Sequence, residues 1–161
     1  MMTFSRNDIN RGEAVSVSAF IRELTDQSKE ICDQKNMQFD ASGATFSATD
    51  CIQCNKETLL GALLNLVNNA VDAQSEGGLV QLHWRNSHGF LTLLFKDRGE
   101  GMSKAQLEHV QEGFVTTKQH GTGLGLMVVK AIARAHHGQF EIDSIEGTGT
   151  TASFTLPLVR V

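Results

Sequence analysis

Along this chain the apolar residues alternate between the two-residue period of strands and the longer period of helices, and each switch predicts an element. Residues 14–17 alternate as a short strand. From Ser18 the period lengthens, with Phe20, Leu24 and Ile31 on one helical face and Arg22, Glu23, Lys29 and Glu30 on the other. Residues 37–40 and 44–48 alternate again, which predicts two strands around a Ser42-Gly43 turn. Asn55 stands as an N-cap for a helix running to about Gln74, whose Leu59, Leu63, Val67 and Ala70 face a core. Beyond Glu76-Gly77-Gly78, residues 79–85 and 90–96 alternate on either side of Asn86-Ser87-His88-Gly89, a hairpin. Ser103 and Gln106 form a capping box for a short helix with Leu107 and Val110 inward. Residues 113–120 carry no period and lie between glycines, as a mobile loop would. A further helix begins near Leu124 and runs to about His136, where Gly138 is placed to stop it. Residues 140–143 and 151–156 close the chain as strands split by Gly147-Thr148-Gly149-Thr150, and Pro157 ends the last one. Strands interleaved with helices and closed by a hairpin predict an α+β fold: a two-layer α/β sandwich, one mixed sheet with helices on one face.

Composition narrows the class. With 161 residues, 40% of them hydrophobic, the chain is sized for one well-packed domain. Residues 1–12 are polar and nearly aperiodic, and read as the trailing end of an upstream element; the domain is expected over 13–161. A net charge of -4 without any block of Lys or Arg argues against nucleic acid and against an anionic membrane surface. The apolar stretch over 59–71 is too short to span a bilayer, so a soluble cytoplasmic domain is expected, without direct membrane contact. Cys51-Ile52-Gln53-Cys54 has the spacing of half a zinc site but no second ligand pair, so these cysteines and Cys32 are read as small core residues.

Three features carry chemistry. Asn65, Asn69 and Asp72 fall at i, i+4 and i+7 with Asn68 beside them, a polar stripe on an otherwise apolar helix. Asparagine is a mediocre helix former, and amides suit oriented binding better than simple solvation, which points to a site. Asp97-Arg98-Gly99-Glu100-Gly101 puts a carboxylate at a strand end with glycines beyond it, free to face a pocket with nothing bulky in front. Gly121-Thr122-Gly123-Leu124-Gly125-Leu126 opens a helix with glycines that allow close approach of a ligand, a seat for phosphates.

Taken together these stretches resemble the ATP-binding superfamily that includes gyrase, heat-shock protein 90, histidine kinases and MutL. Asn65-Leu66-Val67-Asn68-Asn69-Ala70-Val71-Asp72-Ala73 resembles its N box, and Asp97 to Gly101 its first glycine box. Phe114-Val115-Thr116-Thr117-Lys118 resembles its F box, Gly121 to Leu126 its second glycine box, and Gly147 to Thr150 its third. Within that superfamily the wording is similar to the catalytic domain of sensor histidine kinases, of the nitrogen- or flagellar-regulation type.

The resemblance implies a Bergerat-type fold with an ATP lid, here about residues 102–122, and the cofactors ATP and Mg²⁺. It implies that Asn69 offers its amide oxygen to Mg²⁺, supported by Asn65, and that Asp97 accepts a hydrogen bond from the adenine amino group. Gly99, Gly101, Met102 and Thr150 would border the base. Asn68, Asp72, Phe114, Thr117, Leu124 and Leu126 belong to the same nucleotide-binding set. Lys118 and the backbone of Gly121, Thr122, Gly123 and Gly125 would hold the phosphates. Asn65, Asn69 and Lys118 would serve the transfer itself. None of His83, His88, His109, His120, His136 or His137 has the context of a phosphoacceptor, so the implied partner is a dimerisation and phosphoacceptor domain outside this chain. Residues 1–12 resemble the end of that domain's second helix. A downstream response regulator, an NtrC-like transcriptional activator by analogy, completes the partners, and the fragment by itself is expected to be a monomer.

Departures from the pattern bear on the lid: Gly113 where proline is common, Val115 where a second phenylalanine is frequent, and His137 where glycine is usual. Three rival readings stay open. A superfamily ATPase would keep a glutamate where Asn65 stands, because an amide does not take the proton of an attacking water; a serine kinase of the anti-sigma type would be expected to keep the acid too. A nucleotide-binding module without catalysis is the non-enzymatic alternative.

Overall fold

A computed structural model describes residues 12–112 and 122–160. Eight strands and four helices follow in the order β1 (Glu13–Ser16), α1 (Val17–Gln34), β2 (Gln38–Gly43), β3 (Asp50–Cys54), α2 (Lys56–Asp72), β4 (Leu79–Ser87), β5 (Phe90–Asp97), α3 (Lys104–Glu112), α4 (Thr122–Ala135), β6 (Gln139–Ile145), β7 (Gly149–Pro157) and β8 (Val159–Arg160). The upstream tail expected over residues 1–12 lies outside the described residues except for Gly12.

Five strands form one sheet in the order β2-β4-β5-β7-β6. Only the β2–β4 pairing is parallel, so the sheet is mixed as expected. Its inner face presents Val80 and Leu82 of β4, Leu91, Leu93 and Phe95 of β5, and Ala152, Phe154 and Leu156 of β7, all buried. Helices α1, α2 and α4 meet that face with Phe20, Leu24, Leu59, Leu63, Val67 and Val129, each fully buried. Burial of a side chain of this size stabilises by roughly 1.5–3 kcal/mol relative to exposure, which is why the apolar spacing dictated the layers.

The expected caps are made. Asn55 accepts from the Thr58 N–H at 3.2 Å. Ser103 accepts from the Gln106 N–H at 3.2 Å while the Gln106 side chain accepts from the Ser103 N–H at 2.9 Å, a reciprocal box.

Four expectations are corrected. Residues 44–48 are not a strand; β2 runs straight through Ser42-Gly43, because its parallel partner β4 supplies hydrogen bonds as far as Trp84. Gly43 lies directly on the Trp84 indole, where any side chain would collide, and the indole N–H closes the contact on the Ala44 carbonyl at 2.9 Å. The missing strand is β3, which joins β1 and β8 in a second, three-stranded sheet. Pro157 does end β7, as expected, but β7 is not the last strand: the chain goes on to pair Cys51 with Val159 and Asp50 with Arg160. Finally, α4 starts at Thr122 and is closed by His137, in the left-handed region at φ 61, while Gly138 donates to the Ala133 carbonyl at 2.8 Å.

Cys51 and Cys54 are free and buried in β3, as is Cys32 in α1, and burial pushes the Cys54 thiol up to about 11. Among the described residues no group of three or more His, Cys, Asp or Glu is placed to hold a metal ion. No described helix is long and apolar enough to cross a membrane.

His136 ties two of the helices together. It is 3% exposed at the end of α4. Its Nδ1 pairs with the Ile132 carbonyl at 2.8 Å, and Nε2 accepts the Asn55 N–H, at the start of α2, at 3.3 Å. That pattern requires a neutral ring with the proton on Nδ1. Burial holds its pKa below 6.5, with the neighbouring His137 acting in the same direction. A depressed histidine contributes stability above its unfolded pKa and loses it as pH falls through that value towards the folded one. The melting temperature is therefore expected to drop as pH falls from neutral through about 6.5, more steeply in the wild type than in His136→Gln. Thermal scans across that range check it.

Candidate functional site

The site lies between α2, the ends of β5 and β6, and the start of β7. A cavity of about 340 Å³ opens there. Leu66, Ala70, Phe95, Leu126, Ile142 and Ala152 give it apolar walls, and Asn69, Asp72, Asp97 and Thr150 supply its polar edges.

Asp97 is the last residue of β5, and the alternation that buries Phe95 turns the carboxylate of Asp97 to the same side. Its Oδ1 accepts from the Gly99 N–H at 2.8 Å and from the Thr150 N–H at 3.3 Å. Oδ2 takes no hydrogen bond from the described residues, and Asp97 lines the cavity. Burial pushes the pKa of Asp97 up, and the Gly99 and Thr150 N–H groups pull it back.

Gly101 makes the turn beyond Asp97. Its φ is +70°, and a Cβ there would run into the Ile145 carbonyl. The turn is fixed from the opposite hairpin: the Gly147 N–H donates to the Glu100 carbonyl at 2.6 Å, and the Met102 N–H donates to the Ser144 hydroxyl at 2.8 Å. Ser144 in turn donates to the Gly149 carbonyl at 3.0 Å and lies 2.8 Å from the Thr150 hydroxyl. Thr150 thus meets Asp97 through its backbone and Ser144 through its side chain.

The helical stripe divides. Asn69 and Asp72 line the cavity beside Asp97. The Asn69 side chain makes no hydrogen bond to the described residues, and its Nδ2 is buried without a partner. An amide buried in that state costs about 1–3 kcal/mol until something pairs with it, which marks a position kept for a ligand. Asn65, one turn earlier, faces α4: a Cβ on Gly125 would come within 2.8 Å of its Nδ2. Gly125 is thus where the two helices approach closely. Asn65 and Asn68 border a separate open groove with Val128 and Ile132, and Asn68 is exposed and donates back to the Leu64 carbonyl at 3.1 Å.

Of the other expected site residues, Gly99, Gly101, Met102, Leu126 and Thr150 surround the cavity or the turn behind Asp97. Thr122, Gly123 and Leu124 have helical backbone in the first turn of α4. Phe114, Thr117, Lys118 and Gly121 lie outside the described residues. Sequence reasoning missed Ser144 and Gln74, and nothing in their surroundings signalled them; each is a polar residue whose partners come from distant segments.

Comparison with known proteins agrees with this geometry. The family described as "Histidine kinase-, DNA gyrase B-, and HSP90-like ATPase" matches residues 54–160. The sensor protein kinase FleS of Pseudomonas aeruginosa is 37% identical over 161 residues, covering 99% of this chain and 39% of that protein. The sensor histidine kinase ZraS of Escherichia coli is 35% identical over 116 residues, covering 70% of this chain and 25% of that protein. The chain therefore spans well under half the length of these relatives. Among solved structures, the catalytic domain of histidine kinase ThkA superposes with a TM-score of 0.76 at 23% identity, over 90% of this chain and 94% of that one. The mycobacterial sensor histidine kinase MprB gives a TM-score of 0.74 at 24% identity, over 93% and 99%. Both share the fold. With its asparagine-bearing helix, its strand-end aspartate and its glycine turns in that order on that fold, the chain belongs to the histidine kinase-, DNA gyrase B- and HSP90-like ATPase family.

Proposed function

We propose that this domain binds Mg·ATP in the cavity beside Asp97 and presents the γ-phosphoryl group to a histidine on a dimerisation and phosphoacceptor domain of the full-length kinase. The observation that carries the reading is the Asp97 carboxylate on the lining of an apolar-walled cavity, with one oxygen held by two backbone N–H groups and the other without a hydrogen bond from the described residues. That oxygen accepts from the exocyclic amino group of adenine; guanine offers a carbonyl there and is repelled. Leu126, Ile142 and Phe95 take the faces and edge of the base.

Asn69 fits a hard cation. Its side chain lines the cavity with Nδ2 buried and unpartnered, and its oxygen is of the ligand type that Mg²⁺ takes alongside phosphates and waters. Mg²⁺, when bound, neutralises charge on the phosphates. Asn65 is assigned to support that end of the site; Lys118 and the backbone of residues 121–125 are assigned to the phosphates, on family resemblance. Phosphoryl transfer asks the protein chiefly for positioning and electrostatic stabilisation, which amides and N–H groups supply without a nucleophile. Asn65 in place of an acid favours transfer to a partner over hydrolysis.

The downstream partner in this reading is a response regulator. ThkA has been solved in complex with the response regulator TrrA, and the likeness to that kinase supports the assignment at the level of the class. An NtrC-like activator, a cytoplasmic setting and a monomeric isolated domain belong to the same proposal. Calorimetric titration of Mg·ATP into the domain tests it. Saturable binding is expected, without continuing heat, weakened about tenfold or more by Asn69→Ala or by removing Mg²⁺. Steady heat after each injection would mean hydrolysis and overturn the transfer reading; no binding would overturn the nucleotide reading.

A further inference from the structure

We propose that Gln74, which no motif marks, is the positioning residue that holds the Asp97 turn in register with the asparagine-bearing helix and so sets the selectivity for adenine. This rests on the reading of the cavity as an ATP site. Gln74 lies just past the end of α2, and its side-chain amide is used to capacity. Nε2 donates to the Ala70 carbonyl at 3.0 Å and to the Leu79 carbonyl at 3.0 Å. Oε1 accepts from the Leu79 N–H at 3.0 Å and from the Arg98 N–H at 3.3 Å. Two donors and two acceptor positions are all that a carboxamide has.

These four bonds converge on three segments: the last turn of α2, the first residue of β4, and the residue immediately after Asp97. Arg98 is the consequential partner. Its N–H is fixed on one side of the Asp97 peptide turn, and the Gly99 N–H is fixed on the carboxylate itself. The turn that carries Asp97 is thereby tied to the helix that carries Asn69. The distance between the base-reading carboxylate and the unpartnered amide is set through Gln74. The chain is built closely around it, since a Cβ on Gly78 would stand 2.7 Å from Oε1.

Only an amide satisfies all four partners. Gln74→Met keeps the length and removes every bond. Gln74→Glu keeps the acceptor for the Leu79 and Arg98 N–H groups but places a carboxylate against the Ala70 and Leu79 carbonyls. The two variants therefore separate anchoring of the Asp97 turn from general stability. We expect Gln74→Met to weaken Mg·ATP binding about tenfold and to narrow the preference for ATP over GTP by a similar factor. Gln74→Glu is expected to lower the melting temperature while keeping the ATP:GTP ratio near that of the wild type.

Titration with Mg·ATP and Mg·GTP reads both ratios. Amide exchange of Arg98 and Leu79 in the wild-type domain gives a measurement that needs no variant. Slow exchange at both amides, with Arg98 released in Gln74→Met and kept in Gln74→Glu, supports the assignment. Fast exchange at Arg98 in the wild type, or equal loss of selectivity in both variants, or unchanged selectivity in a folded Gln74→Met, would overturn it. If the wild-type domain binds no nucleotide, the ATP reading fails instead, and the exchange data then judge the Gln74 clamp by itself.

Discussion

Asp97→Asn is expected to weaken Mg·ATP binding about a hundredfold and to erase the preference over GTP, while leaving the nucleotide-free domain at least as stable as the wild type. The two effects have one cause. The carboxylate accepts from the Gly99 and Thr150 N–H groups through Oδ1, and an asparagine oxygen can do the same. What the substitution puts in the place of Oδ2 is an NH₂ group, so a donor faces the adenine amino group and an attraction becomes a repulsion. Charge-assisted bonds of this kind are worth about 1.5–3 kcal/mol each, and the donor–donor clash adds to the loss. Stability runs the other way. The pKa of Asp97 is raised in the folded state by burial. A carboxylate with a raised folded pKa stabilises the fold on the acid side and loses that contribution as pH rises through its folded value. At neutral pH the ionised Asp97 is therefore a burden on the empty domain, and a neutral amide removes it. Titration with both nucleotides, together with melting curves at neutral pH, checks the pair of effects; a variant that loses stability along with affinity would contradict the account.

Gly101→Ala is expected to damage the fold severely. The residue sits at φ +70°, where a Cβ costs about 1–2 kcal/mol from local sterics alone. The added methyl also meets the Ile145 carbonyl, which is backbone and cannot rotate away. Relief requires the hairpin of β6 and β7 to shift, and that shift breaks the Gly147 bond to the Glu100 carbonyl and the Ser144 bond to the Met102 N–H. A total of about 2–4 kcal/mol follows, or a melting temperature lower by about 5–15 °C for a domain of this size. Because the same bonds frame the back of the cavity, nucleotide affinity should fall as well. Gly77→Ala makes a useful contrast: its φ is +86°, but a Cβ there meets nothing within 4 Å, so only the local steric penalty applies. Melting curves of the two variants, side by side, separate backbone strain from collision.

Much of the domain was legible in the residue pattern. The helical spacing of Leu59, Leu63, Val67 and Ala70 told which face of α2 is buried, because a helix in a two-layer fold has one stripe to bury. The carboxylate at a strand end with glycines after it, and the amides on an apolar helix, were each locally improbable without a ligand, and the structure brings Asp97, Asn69 and Asp72 to one cavity. Local chemistry also named the Asn55 cap and the Ser103–Gln106 box correctly, since both are settled within a single turn of chain. Where the pattern misled, the deciding partner was distant. Residues 44–48 alternate well enough for a strand but pair with no neighbour in the structure, while β3 finds β1 on one side and β8 on the other, across the length of the chain. The stop of α4 fell to His137 in the left-handed region, because its neighbour His136 is drawn inward to the start of α2.

What the sequence alone determined, then, is the set of elements with one buried face, their caps, and the family that the order of motifs identifies. Those are properties of short windows, where side-chain period and local hydrogen bonding outweigh everything else. Tertiary structure alone decided which members of the polar stripe share a cavity, why Gly125 must lie bare against Asn65, and how Gln74 and Ser144 hold the turns around Asp97. A polar side chain declares its role only through its partners, and for these residues the partners lie on other segments, brought within hydrogen-bonding distance by the packing of helices on the sheet.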